Sequence, residues 1–224
     1  MLPLGAAVAM LLAQGVVVGA GRVVTFRAPD GRTLNALAMD ASARPAPAVV
    51  LVPMLGRPKD DWQAVAQRLA DANITALAID LPGQYGPTSG WHTDVLAAVA
   101  YLASRPEIRR DAIGVAGASL GANLAVLAAS GDPRIRSLAL VSPSLDYRGV
   151  RIESAMQQYG GRPALLMASL RDPYAARSVR ALAAEPPGLR EVKWSETIAH
   201  GTALLAREPD LVRTLVEWFQ RTLG

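Results

Sequence analysis

The chain has 224 residues, no cysteine and only two histidines, His92 and His200. Without cysteine there is no disulfide scaffold, no thiolate-bound zinc and no thiol nucleophile. Two histidines are too few for a histidine-rich metal centre; no metal or organic cofactor is expected. Chemistry that needs an imidazole has two candidates. Aromatic residues make up 5% of the chain, and charged residues 19%. The balance is basic, with a net charge of +4, yet the arginines are scattered singly and Arg109-Arg110 is the one adjacent basic pair. No basic stripe interleaved with aromatics exists, so nucleic acid is not an expected partner. A solvated surface accounts for the charge.

Charge is missing altogether from residues 1–21, MLPLGAAVAMLLAQGVVVGAG. A cleaved export signal is expected there, giving a periplasmic or secreted protein, although the basic n-region of a strong signal is absent. The segment is also long enough to span a bilayer, so an N-terminal anchor is the alternative and its one route to a membrane. Residues 22–224 suffice for one domain, and no internal repeat or second core is visible. The oligomeric state is left open.

What is present is alternation. RVVTFR (22–27) and TLNALAM (33–39) flank the turn PDGR and read as a β-hairpin. AVVLV (48–52) is a continuous apolar run, as expected of a strand covered on both faces. Helical spacing follows over 60–72, then a strand over 74–79, the Gly/Pro loop DLPGQYGPTSG (80–90) and a helix over 92–104. Strands are expected at 113–116, 135–141, 163–169 and 189–194, and helices at 120–130, 174–184 and 208–222. Strict alternation implies βαβ crossovers: an α/β fold with a mostly parallel, doubly wound sheet and an antiparallel N-terminal edge.

In such a sheet reactive side chains gather at the carboxyl ends of strands. GASLG (117–121) fits G-x-S-x-G and sits between an expected strand and an expected helix. Ser119 is therefore the candidate nucleophile, with a small residue in a tight turn as the plainer reading. A serine hydroxyl needs a base. TIAHG (197–201) follows the last strand and offers His200; His92, near a helix start, suits a cap or surface role. The carboxylate that orients the imidazole is expected to be Asp172, after the strand that ends at Ser169, although it also suits a helix N-cap. Asp146 is its substitute, and Asp80 reads as a loop stabiliser.

These motifs resemble the α/β-hydrolase superfamily, and within it the compact dienelactone-hydrolase-like serine esterases, over about residues 22–222. The resemblance rests on VPMLGRPKDDW (52–62), DLPGQYGPTSG, GASLGA (117–122), SLRDPY (169–174) and IAHG (198–201). It implies a Ser119–Asp172–His200 triad acting through an acyl-enzyme. It also implies an oxyanion hole built from the backbone N–H groups of Leu55, or Met54 one residue earlier, and Leu120. Relatives carry His-Gly where this chain has Pro53-Met54. Dienelactone hydrolases proper use a cysteine nucleophile, so the serine here argues against their substrate. The expected substrate is a small acyl ester, lactone or thioester, with water as acceptor. A peptidase, an acyltransferase or a non-catalytic binding protein on the same fold are the alternatives. About 21 residues, 142–162, lie where larger relatives insert a lid, so no large lid is expected. Met54, Leu55, Tyr85, Trp91, Tyr147, Met156 and Tyr174 are candidates for lining the site, with Arg57 and Arg171 near its mouth.

Overall fold

The computed structural model describes residues 21–83, 88, 90–184 and 188–224. The expected export signal therefore lies, apart from Gly21, outside the described residues, and so does Tyr85. The hairpin forms as read, with β1 (Arg22–Arg27) antiparallel to β2 (Thr33–Met39). Then come β3 (Ala46–Val52), a 3₁₀ turn (Lys59–Trp62), α1 (Gln63–Asp71), β4 (Thr75–Ile79) and α2 (His92–Ser104). β5 (Ile108–Ala118), α3 (Leu120–Gly131) and β6 (Ile135–Val141) follow. A two-residue hairpin, β7 (Asp146–Tyr147) and β8 (Val150–Arg151), leads to α4 (Glu153–Tyr159). The chain closes with β9 (Ala164–Ser169), α5 (Pro173–Ala184), β10 (Arg190–Ser195), α6 (Thr202–Arg207) and α7 (Pro209–Leu223).

Eight strands form one sheet in the order β1-β2-β4-β3-β5-β6-β9-β10. From β4 to β10 every pairing is parallel, and β2 joins β4 antiparallel. The continuous apolar runs are explained by two-sided burial. In β3, Ala48, Val50 and Val52 pack with α2 and α3, whereas Val49 and Leu51 pack with Trp62 of the 3₁₀ turn and Trp218 of α7. The strand is apolar at every position because both faces are core.

Strand order reverses beside β3. The chain goes from β3 to its neighbour β4, then crosses back to β5 on the other side. The crevice beyond the carboxyl ends of β3 and β5 is therefore the topological switch point, where ligands bind in open α/β sheets. Residues 53–55 leave β3 there, and Ser119 leaves β5.

Several elements differ from the sequence reading. β5 starts five residues early, because the charged run 109–111 sits on a solvent-facing part of a strand rather than in a loop. The helix read at 60–72 is a 3₁₀ turn followed by α1. The β7–β8 hairpin, α4 and α6 have no counterpart among the expected elements. Residues 142–163 contain only that hairpin and α4, so no large lid stands over the sheet. This short insertion is stitched down by Asn123 of α3, whose amide donates to Val150 O at 3.1 Å and accepts from Ser144 N at 3.1 Å.

Candidate active site

The turn at Ser119 is built by two glycines and one strained residue. A Cβ on Gly117 would run into the carbonyl of Gly121, and a Cβ on Gly121 into the carbonyls of Val52 and Pro53. α3 thus starts in backbone contact with both β5 and the end of β3. Ser119 takes φ 52° and ψ −121°, a region that costs a non-glycine residue about 1–3 kcal/mol. Its N–H donates to Val141 O at 2.9 Å, and its carbonyl accepts from Ala122 N at 2.9 Å, so the strain is held from both sides. The hydroxyl makes no capping bond to α3. A serine kept only as a helix cap would make one.

His200 stands in the loop between β10 and α6, half-exposed, with Nδ1 2.5 Å from Asp172 Oδ2. At that distance the ring N–H donates to the carboxylate, which leaves Nε2 as the free nitrogen. The other oxygen, Asp172 Oδ1, accepts from Ala175 N at 3.1 Å. Asp172 thus meets His200 with one oxygen and the first turn of α5 with the other.

The histidine loop also touches the serine turn. Gly201 has φ 56°; a Cβ there would clash with Met54 Sδ and stand 3.6 Å from Ala118 Cβ. Ala118 precedes Ser119 and Gly201 follows His200, so the serine turn borders the space in which a side chain at 201 would sit. Leu120 is fully buried and Leu55 half-buried. Among the described residues neither of their backbone N–H groups is paired with an acceptor. An N–H left over at the start of a helix, with the positive end of its dipole, is suited to a developing negative charge.

Residues 49–223 match the model of the alpha/beta hydrolase family. The chain belongs to that family. It is 30% identical over 137 residues to thiohydrolase apmlB of Arthrinium phaeospermum, covering 56% of this chain and 44% of that protein. It is 34% identical over 97 residues to 2,6-dihydropseudooxynicotine hydrolase of Paenarthrobacter nicotinovorans, covering 41% of this chain and 26% of that one. The matches thus span less than half the length of either relative. A dienelactone hydrolase from Anabaena variabilis superposes with a TM-score of 0.75 at 18% identity, covering 91% of this chain and 98% of that structure. At that identity the likeness shows the fold.

Within this alpha/beta hydrolase the other candidates scatter. Met156 is fully buried in the core and has no surface to offer a substrate, so it does not line an open site. Trp91, 8% exposed, is likewise core at the start of α2. Tyr174 is exposed, and its hydroxyl donates to Asp146 O at 2.7 Å; Tyr147 is half-buried. Asp146 is committed to Gly149 N and Arg151 in the β7–β8 hairpin, which removes it as the alternative acid. Asp80 accepts from both the backbone and the side chain of Lys59, tying the loop after β4 to the segment after β3. Arg57 pairs with Asp61 at 2.7 Å and Arg171 with Glu196 at 3.4 Å, so each mouth arginine has a local partner. His92 Nδ1 is buried without a partner among the described residues. A groove of about 590 Å³ lies between α1 and α7, lined by Ala64, Arg68, Leu205 and Val216 among others, and includes none of the site residues.

The supports of the histidine loop are not among the residues that the sequence motifs single out. Ser142, at the end of β6, accepts from Gly201 N at 3.0 Å. Ser169, at the end of β9, donates to Thr197 O at 2.6 Å and accepts from Arg171 N at 2.9 Å, joining the acid loop to the base loop. Glu208 accepts from Ser195 Oγ at 2.8 Å and from Thr197 Oγ1, and these bonds hold its carboxyl below the usual glutamate range. Ser142 follows β6, Ser169 ends β9 and Glu208 is the N-cap residue of α7, but neither serine nor glutamate has a spacing signature that announces such a role.

Proposed function

We propose that this protein is a serine hydrolase that cleaves a carboxylic ester, lactone or thioester through an acyl-enzyme. The observation that carries the reading is the Asp172–His200 bond on a loop packed against a strained, uncapped Ser119. In this mechanism His200 Nε2 takes the Ser119 proton as Oγ attacks the substrate carbonyl. The N–H groups of Leu55 and Leu120 receive the oxyanion. His200 then gives its proton to the leaving group, and a water, activated by the same imidazole, releases the acid. Asp172 holds the ring tautomer and stabilises the imidazolium. No step calls on a metal or organic cofactor.

The likeness to a protein named a thiohydrolase is the reason to try a thioester beside an ester. The short 142–163 insertion favours a compact acyl group over a long lipid. The test is labelling with a fluorophosphonate, followed by turnover of nitrophenyl acetate and a thioester. Ser119 is expected to carry the adduct. Ser119→Ala and His200→Ala are each expected to lose at least about three orders of magnitude in kcat/KM. A native protein that takes no label and turns over none of these compounds would instead be a binding module. Turnover of a nitroanilide amide as well as the nitrophenyl ester would point to a peptidase, because the amide is the harder bond to break.

A further inference from the structure

Ser142 is a serine that the triad does not use, placed one strand over from the nucleophile. It is fully buried and adopts φ 51° at the end of β6, a backbone conformation that L side chains rarely take. Its N–H continues the sheet, donating to Met167 O at 2.7 Å. Its hydroxyl oxygen accepts from the N–H of Gly201, 59 residues further along the chain. Asn or Gly would be the ordinary occupant of such a conformation. A glycine there would relieve the strain but leave the buried Gly201 N–H without its acceptor, a loss with its own cost.

Gly201 is the residue next to His200, and it is held on three sides. Ser142 Oγ, from β6, takes its N–H. Met54, from the segment after β3, stands where its Cβ would be, and Ala118 of β5 lies beside it. The backbone that carries the imidazole is thereby indexed against three neighbouring strand ends. Of the three contacts, only the one from Ser142 is directional. The other two exclude positions; a hydrogen bond selects one.

We infer that Ser142 is a positioning residue of the proposed hydrolase: its hydroxyl fixes the His200 backbone relative to Ser119. It acts through Gly201 and touches no reacting atom. The inference rests on the serine-hydrolase reading above. Misplacement of a catalytic group by about 1 Å can cost on the order of 100-fold in rate. Loss of this one tether is expected to lower kcat about 10- to 100-fold while changing KM less than about twofold.

The experiment compares Ser142→Ala with Ser142→Gly in the full chain. Thermal melting, kcat and KM on nitrophenyl acetate, and the rate of fluorophosphonate labelling at Ser119 are measured. Turnover is counted per site labelled at completion, so that misfolded protein drops out. The two variants differ in backbone strain and share the lost acceptor. Equal losses of kcat and of labelling rate in both, whatever their melting temperatures, support the tether. Wild-type kcat per site in Ser142→Gly overturns it. Losses that follow the melting temperatures, larger in Ser142→Ala than in Ser142→Gly, overturn it as well. Failure of the wild-type chain to label or turn over would sink the serine-hydrolase reading instead, and is read before either variant.

Discussion

Asp172 shows how one side chain satisfies two demands. One carboxylate oxygen meets His200 Nδ1, and the other caps α5 through Ala175 N. These jobs can be separated. Asn caps a helix about as well as Asp but cannot stabilise an imidazolium. Asp172→Asn is therefore expected to melt near the wild-type temperature and to lose about 10²- to 10⁴-fold in kcat. Asp172→Ala should show the same loss of rate plus about 1 kcal/mol of destabilisation, read by urea unfolding. At this scale the candidate site was largely legible. Ser119 and Asp172 each follow an apolar run that reads as a strand, His200 follows the more polar last strand, and their order along the chain matches the fold. Ser142 was not legible. Its partner is a backbone N–H, which no pattern of side chains records, and only the folded sheet brings position 142 to position 201.

Among the elements, the loop from β10 to α6 depends most on its braces. Glu208, at the start of α7, ties down Thr197 and Ser195, three and five residues before His200. Those bonds lower its folded pKa below the ordinary value of 4.5. A carboxylate lowered on folding contributes stability above its unfolded pKa and loses it as pH falls through the folded one. Melting temperature measured from pH 7 to pH 3 should therefore show Glu208→Gln below wild type at neutral pH. The gap should narrow as pH drops below 4.5. A constant gap across that range would mean that the charge of Glu208 contributes nothing. The elements missed from sequence share a cause. β7 and β8 have two residues each, too few for a period to register, and their turn depends on Gly149 at φ 84°. α4 and α6 span seven and six residues, barely two turns, and owe their form to packing rather than to sequence periodicity.

At the scale of the whole molecule, every group assigned to the site lies between Leu55 and His200, and the sheet begins at Arg22. A chain that starts at Gly21 is therefore expected to fold and to match the full chain in kcat/KM within about twofold on nitrophenyl acetate. A tenfold loss would place part of the site in residues 1–20. Export of the protein by that segment is our proposal, and an intact Met1 in protein recovered from cells would refute cleavage. The architecture was the most legible feature of all. Two-sided burial makes the central parallel strands β3, β4 and β9 apolar at nearly every position, and α1, α5 and α7 keep a polar face, so most of the alternation survives in the bare sequence.

The division of labour at Asp172 has a further consequence, in entropy. A carboxylate on a free side chain must stop rotating before it can accept a bond from one defined direction. Here the helix cap has already removed that freedom, and it was removed when the chain folded. The ordering cost falls once, on folding, and does not recur each time the imidazole must be held in place.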